Sequence, residues 1–190
     1  MSNELINYLE SFMPIDDKDK LCIEEVFERR VYKEGDYLLY PNHICRELFF
    51  VCKGVSRITV LKEKGNIVTN FFFKENQFCT ILKSFTNQTE AIEGIQAACD
   101  LEVVVISREK LLLLHKNLPP IAKLIDQIIQ QAVLDKVELR NSYLGLDSTE
   151  RYQLFLQQQS EVAKLVSLNS IASYLGITQQ SLSRIRKNIH

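Results

Sequence analysis

The sequence predicts an α+β protein in which a β-roll, a long helix and a C-terminal helix-turn-helix follow one another. Short strand-forming runs separated by turns fill the chain from Arg29 to Ser107. Apolar residues recur at helical spacing after Pro119, and two capped helical segments flank Gly176. We place the domain boundaries at 1–117 for the roll, 118–145 for the long helix and 146–190 for the C-terminal domain.

Length and composition are those of an ordinary globular protein. The 190 residues are 46% hydrophobic and 25% charged, which is too apolar for a disordered chain, and the formal net charge is −1. The stretch from Met1 to Met13 is polar and amphipathic, unlike a signal peptide, and no apolar run has the length of a membrane span. We therefore expect a cytoplasmic protein with no membrane partner.

The roll domain is predicted to begin with two helices and to continue as a series of strands. Leu5, Ile6, Leu9 and Phe12 share one face of a helix predicted over 3–12, and a second helix is expected over 18–27. The predicted strands are Tyr37 to Tyr40, Leu48 to Cys52, Ser56 to Leu61, Ile67 to Phe73, Ile92 to Ala98 and Leu101 to Ile106. Their near-regular spacing, with turns such as Lys62 to Asn66 between them, favours an antiparallel roll or sandwich.

The period becomes helical after Arg108. Pro119 and Pro120 fit the first turn of a helix, and the apolar stripe beyond them is wider than a coiled-coil seam. A helix that packs on the roll and also on a second copy of the chain would explain this width. The predicted dimer contacts are Ile121, Leu124, Ile125, Ile128 and Ala132. The alternative is a helix packed only within its own chain.

A capping box at Asp147 to Glu150, just after a bend at Gly145, opens the C-terminal domain. Further along, Ser167 can cap one short helix, which Gly176 ends in a tight turn. Small and apolar residues follow the spacing of a two-helix corner, namely Ile171, Ala172, Leu175, Ile177, Leu182 and Ile185. This pattern predicts a helix-turn-helix.

The second helix of this motif, predicted over 178–189, has two unlike faces. At about 100° per residue, Leu182, Ile185 and Ile189 share one side. The opposite side carries amides, hydroxyls and cations but no acid, and it predicts DNA contacts at Thr178, Gln179, Gln180, Ser183, Arg184 and Lys187. Arg can pair with guanine and Gln with adenine in a major groove. We expect Gln179, Gln180 and Arg184 to contact bases.

Ser183 and Lys187 are expected to position the helix on phosphates. The segment from Ser160 to His190 carries four basic residues and one acid, which suits contact with a polyanion. A helical hairpin used for protein contacts is the alternative to DNA binding.

The order of elements and several motifs resemble the Crp/Fnr (catabolite-activator and fumarate–nitrate-regulator) superfamily of bacterial regulators, over about Ile15 to Ile189. The matching segments are Lys33 to Asp36, Phe49 to Gly54, Val103 to Ser107, Glu150 to Tyr152, Ile171 to Ile177 and Leu182 to Arg186. The last three look like a short branch common in Bacteroidetes. The resemblance implies a cyclic nucleotide-binding-type roll (a double-stranded β-helix, or jelly roll) and homodimers that bind two-fold, palindromic DNA sites. It also implies an effector sensed by the roll.

Two departures from the family pattern concern the effector and the DNA. Family members that bind cyclic nucleotides hold the ribose with a Gly-Glu-Leu run and the phosphate with an Arg-Ser/Thr pair. The corresponding positions here are Thr80, Ile81, Leu82, Ala91 and Ile92. They lack the carboxylate and the cation, so we expect no tight binding of cAMP. The chain also stops at His190, after the recognition helix, and we expect a domain that lacks the family's two-stranded wing.

Other function classes fit the sequence less well. The five cysteines are scattered without C-x-x-C spacing, and we interpret them as small apolar residues, not ligands of a metal. His43, His115 and His190 lie in unlike segments with no paired nucleophile or acid, and the six glycines form no phosphate loop. We expect a protein that is not an enzyme and has no cofactor. A ligand-sensing or protein-interaction module that no longer binds DNA is the second hypothesis.

Overall fold

Two facing antiparallel sheets and a short third one form the first half of the chain. The computed structural model describes residues 3–62 and 65–189, so Glu63 and Lys64 of the expected turn, and His190, lie outside the described residues. The strands are β1 (Glu28–Tyr32), β2 (Tyr37–Leu39), β3 (His43–Ile44), β4 (Glu47–Lys53), β5 (Ser56–Leu61), β6 (Ile67–Phe73), β7 (Phe78–Cys79), β8 (Glu90–Ala91), β9 (Glu93–Ala97) and β10 (Leu101–Ser107).

The strand order defines a roll. One sheet runs β1-β10-β4-β7, the other runs β2-β9-β5-β6, and β3 pairs with β8. Every pairing is antiparallel. Chain neighbours such as β4 and β5 lie in different sheets, while β10 returns between β1 and β4. Strand β6 is an edge strand of its sheet, and the C-terminal helices pack on this side of the roll.

Helices precede, interrupt and follow the roll. They are α1 (Asn3–Glu10), α2 (Asp17–Val26), α3 (Leu82–Asn87), α4 (Arg108–Asn117), α5 (Pro119–Ser142), α6 (Ser148–Gln158), α7 (Ser160–Leu165), α8 (Leu168–Leu175) and α9 (Gln179–Ile189). Each of α2, α4, α6 and α8 begins at a side-chain cap, from Asp16, Ser107, Asp147 and Ser167 respectively. These caps satisfy backbone N–H groups that the first helical turn leaves without partners.

Two apolar clusters hold these elements together. The larger one fills the roll and includes buried side chains of α1, α2, α4 and the first half of α5. The smaller one lies under the C-terminal helices, around the fully buried Phe155 and Leu182. It also contains Val55, Phe72 and Ala98, which belong to the roll. The C-terminal helices therefore complete their core with side chains from the roll.

The predicted fold class is confirmed, with local differences. The strands over 56–61 and 67–73 have the predicted bounds. Helix α3 was not predicted, because its six residues, 82–87, are too few to show an amphipathic period. The short strands β3, β7 and β8 were missed as well, since two-residue pairings leave no alternation in a sequence.

Candidate nucleic-acid interface

Helices α8 and α9 form a two-helix corner whose bend is set by local backbone interactions. The Ser167 hydroxyl accepts a hydrogen bond from the Ser170 amide at 3.3 Å, which starts α8. Gly176 ends it with a φ of 72°, in the left-handed region that glycine adopts without a Cβ clash. The Thr178 hydroxyl then accepts from the Ser181 amide at 3.1 Å and caps α9. The corner therefore has a fixed turn between two capped helices.

One face of α9 is packed and the other is open. Leu182 is fully buried in the smaller cluster, with the half-buried Ile185 and Ile189 beside it. Among the six positions predicted to contact DNA, Ser183 is half-buried and the other five are exposed: Thr178, Gln179, Gln180, Arg184 and Lys187. Helix α9 contains no acidic residue. Its open face therefore presents amides, a hydroxyl and cations, without a carboxylate that would repel phosphate.

An aromatic cluster lies beneath the corner. The ring of Phe72, from β6, lies 5.3 Å from the ring of Tyr174 in α8 and 6.4 Å from that of Phe155 in α6. Phe155 and Tyr174 are themselves 5.6 Å apart between ring centroids. Such pairs add packing energy to the burial of their apolar area. The corner is thus seated on the roll through one ring of the roll and two of its own domain.

Hydrogen bonds across the same contact join α8 to the roll. The Arg57 guanidinium, from β5, donates to the Ser170 hydroxyl at 2.7 Å and to the Thr69 hydroxyl at 3.1 Å. It also donates to Gln96 Oε1 from Nε at 3.1 Å and from Nη2 at 2.7 Å. Burial lowers the pKa of Arg57 from its usual value, although a guanidinium stays protonated at any physiological pH.

Two further contacts reach the edge of the roll. The backbone N–H of Thr69, on edge strand β6, donates to the Ser173 hydroxyl at 2.9 Å. An edge strand has backbone groups without a neighbouring strand, and Ser173 satisfies one of them. An ion pair between Lys74 and Glu161 lies at the rim of the contact. Sequence reasoning missed all of these residues, because a cation in a strand and serines in a helix are also typical of a solvated surface.

The long helix α5 buries only part of its predicted dimer surface. Ile121 and Ile125 are 2% and 0% exposed, packed on their own roll, so they are not available to a second copy in this structure. Leu124, Ile128 and Ala132 are half-buried. The exposed apolar residues of the helix lie further along, at Val133, Leu134 and Val137. Packing against the roll of the same chain therefore explains the apolar residues in the first half of α5.

The positions predicted to correspond to the family's cyclic nucleotide site differ in their burial. Thr80, Ile81 and Ala91 are buried, whereas Leu82 and Ile92 are exposed, Ile92 at 69%. The Thr80 hydroxyl donates to the Glu47 carbonyl at 3.0 Å. Between these two segments, the Ser84 hydroxyl accepts from the Cys45 amide and donates to the Thr89 carbonyl. Polar groups of this segment are therefore paired with one another, and apolar side chains occupy the two positions predicted to face ribose and phosphate.

Within residues 3–62 and 65–189, no helix has the length and apolar character needed to cross a bilayer. The same residues contain no group of three His, Cys, Asp or Glu side chains placed to hold a metal ion.

The cysteines are unpaired and three of them are half-buried, and burial raises the pKa of the Cys52 thiol to about 11. That shift disfavours the thiolate, the form of cysteine that reacts.

The chain is similar to known families and structures. Residues 29–117 match the family model of the cyclic nucleotide-binding domain. The c-di-GMP-responsive global regulator CLP of Xanthomonas campestris is 18% identical, with a TM-score of 0.72 over 92% of this chain and 91% of that one. FixK2 of Bradyrhizobium japonicum is 16% identical, with a TM-score of 0.72 over 87% of this chain and 85% of that one.

A transcriptional regulator of the CRP/FNR family from Thermus thermophilus is 18% identical, with a TM-score of 0.67 over 85% of either chain. No curated protein matches the sequence. The match to the cyclic nucleotide-binding domain covers residues 29–117, and most of the chain shares the fold of a solved CRP/FNR-family regulator. The resemblance to the Crp/Fnr superfamily is confirmed at the level of the fold.

Proposed function

We propose that the protein is a cytoplasmic transcription regulator that binds a two-fold DNA site as a homodimer, through the helix-turn-helix formed by α8 and α9. The observation that carries this proposal is the exposed face of α9, where Gln179, Gln180, Arg184 and Lys187 are open to solvent on a helix without acids. A helix of this kind fits the major groove, where amides and guanidinium groups read base edges. The Crp/Fnr fold of the chain supports the same function.

The second half of α5 is the proposed dimer contact. Val133, Leu134 and Val137 are 39%, 57% and 54% exposed, and at about 100° per residue they lie near one side of the helix. Exposed apolar residues at such spacing are typical of a seam between two helices. A two-fold dimer would present two copies of α9 to half-sites about one DNA turn apart. In this arrangement, the domains 1–117, 118–145 and 146–190 sense, dimerise and read DNA.

We further propose that the roll does not respond to cAMP. Ile81 and Ala91 stand where a ribose-binding carboxylate and a phosphate-binding cation would be needed, and both are buried. A phosphate placed there would lose its water without gaining a cation, which is costly. Titration calorimetry with cAMP tests this point. Micromolar affinity would contradict it.

The proposed function is tested by binding to genomic DNA fragments at low salt, followed by footprinting of the bound sites. The expected result is protection of a two-fold site and a steep loss of affinity as salt is raised. The double variant Gln180→Ala/Arg184→Ala should lose about 10-fold to 100-fold in affinity for each base contact removed. Arg46→Ala, an exposed cation on the roll, is the matched control and should bind as the unaltered protein does.

Full DNA binding by the double variant would overturn the assignment of α9 as the reading helix. Complete absence of binding to any fragment at low salt would favour the second hypothesis, a sensing or interaction module of the same fold. The buried apolar side chains of Ile81 and Ala91, at the positions expected to hold a nucleotide, favour this second hypothesis.

A further inference from the structure

A groove of about 640 Å³ lies where α5 passes the edge of the roll and the corner helices. Four cations line it, and each comes from a different part of the fold or a different turn: Lys62 directly after β5, Lys136 and Arg140 on α5, and Arg151 on α6. Among the described residues, no aspartate or glutamate lines it. In a chain with a formal net charge of −1, this is a local concentration of positive charge.

These cations have few partners. None of them is in an ion pair with another residue of 3–62 or 65–189, although cations elsewhere, such as Lys20 and Lys33, are paired with carboxylates. The Nε of Arg151 is shielded from solvent and has no hydrogen-bond partner within the described part of the chain. A buried donor without an acceptor costs free energy, so a site of this kind favours a ligand that brings acceptor oxygens.

Most of the remaining wall of the groove is aromatic and apolar, and Thr69, Asn70 and Ser173 are its other polar residues. Phe71, Tyr143 and Tyr174 line it, and the Lys136 ammonium lies 4.7 Å from the centroid of the Phe71 ring. Burial lowers the pKa of Lys136. Aromatic walls next to convergent cations suit a ligand with a flat ring at one end and an anionic group at the other. The volume is within the usual range for a small-molecule site.

We infer that this groove binds a small phosphate-bearing ligand with a flat ring, of the nucleotide class, at the junction of the roll, the long helix and the corner. The phosphate would lie between Arg140 and Arg151, whose guanidinium groups can each donate two parallel hydrogen bonds. The ring would lie on the aromatic wall. None of the six proposed DNA contacts lines the groove, so it is distinct from the reading face of α9. It is also distinct from the positions around Ile81 and Ala91.

A ligand in this groove would touch each part of the chain that the proposed regulator needs. The lining includes Asn70 of β6, Ser173 of α8 and Val137 of α5. Val137 also belongs to the proposed dimer contact, so the groove borders that contact. Binding would add contacts between these three elements, and it would stabilise the conformation in which the corner is seated on the roll. This consequence for DNA rests on the proposed function, whereas the binding itself does not.

The test is titration calorimetry on the full chain without DNA, using GMP, AMP, UMP, guanosine and inorganic phosphate as probes. At least one nucleotide is expected to bind about tenfold or more tightly than either guanosine or phosphate. Arg140→Met and Arg151→Met should each weaken that binding by about tenfold or more, because each removes a charge-assisted hydrogen bond. Lys123→Met, an exposed cation on the same helix outside the groove, and Ile92→Glu, at the former roll site, should leave it unchanged.

No binding by any of the three nucleotides overturns the inference, as does binding that both arginine variants retain in full. If inorganic phosphate binds as tightly as the nucleotides, the flat ring contributes no affinity, and the inference that the ligand carries such a ring is overturned. Arg140 is exposed, so its variant should fold even if Arg151→Met does not, and thermal unfolding of both variants checks this. Because no DNA is present, failure here is separate from failure of α9 to bind DNA.

Discussion

The two helices of the corner differ in how they are held. Helix α8 is fixed to the roll by side-chain hydrogen bonds, from Arg57 to Ser170 and from the Thr69 amide to Ser173. Helix α9 touches the body of the protein through Leu182, Ile185 and Ile189, and its only side-chain hydrogen bonds among the described residues are those of its own cap. Helix α8 thus anchors the corner to the roll, whereas α9 presents an exposed polar face to solvent.

This difference separates stability from recognition. Polar side chains on α8 and below it are committed to partners within the chain, so their loss should destabilise the fold. Polar side chains on the outer face of α9 have no such partners among the described residues. Their substitution should therefore leave the stability of the fold unchanged and weaken only the proposed binding to DNA. Equivalent substitutions in the two places therefore have opposite consequences, and they provide matched controls for one another.

The largest effect is expected at Phe155, which lies under both helices and is fully buried between Phe72 and Tyr174. Phe155→Ala should lower the free energy of unfolding by about 3–5 kcal/mol, through lost burial and the cavity that remains. Urea unfolding followed by circular dichroism measures it. Phe12→Ala, which truncates a ring that is 55% exposed, is the control and should cost less than about 1 kcal/mol. Equal losses would mean that the cluster under the corner is not a core.

The same change at two arginines tests the comparison most directly. Arg57→Met leaves Ser170, Thr69 and Gln96 without their donor, so a loss of about 1–3 kcal/mol in unfolding free energy is expected. Arg184→Met removes an exposed cation and should change stability by no more than about 0.5 kcal/mol. DNA affinity should fall strongly only in Arg184→Met, once Arg57→Met is measured at a temperature where it is folded. The reverse ranking in either assay would refute the division into anchor and reading helix.

Serine substitutions give a smaller version of the same contrast. Ser173→Ala removes the acceptor of the Thr69 amide and should cost about 1 kcal/mol. Hydrogen exchange at the Thr69 amide should accelerate by the factor that corresponds to this loss of free energy. No strand lies beside β6 on that side among the described residues, so no other backbone acceptor replaces the hydroxyl. Ser183→Ala, on α9, should leave stability and exchange at Thr69 unaltered. An unchanged exchange rate in Ser173→Ala would show that water replaces the hydroxyl without loss.

The smallest effect is expected at the rim, where Lys74 donates to Glu161 and thereby lowers the pKa of that carboxyl. A carboxyl with a lowered pKa in the folded state stabilises the fold above its unfolded pKa of about 4.3, and the contribution is lost as pH falls through the lowered value. Glu161→Gln should therefore differ slightly from the unaltered protein at pH 7 and not at all at strongly acidic pH. High salt should also remove the difference. A difference that persists in acid would exclude the ion pair as its source.

Much of the candidate site was predictable because its signals are local. The cap at Ser167, the left-handed turn at Gly176 and the cap at Thr178 lie within a dozen residues, and each uses an interaction of one helical turn. The two faces of α9 follow from a period of 3.6 residues, so the burial of Leu182 and the exposure of Arg184 could be assigned from spacing. The role of the open face in binding DNA stays a prediction.

The long helix shows where the same reasoning loses precision. Its apolar stripe correctly indicated that one side is covered, but five residues were assigned to a second copy of the chain. Ile121 and Ile125 are instead covered by the roll of their own chain. An apolar period tells how wide the covered face is, and it carries no information on which surface covers it. The exposed Leu134 and Val137 could be distinguished only after the roll was in place.

The sequence by itself determined the order of roll, long helix and corner, together with the strands over 56–61 and 67–73 and the caps that bound the helices. Those features depend on neighbours a few positions apart. Only the tertiary structure decided that Arg57 meets Ser170, 113 residues away, and that four cations converge on one groove. Such contacts join segments that are distant in the chain, and a polar side chain in an alternating strand has the same pattern whether water or another helix is its partner.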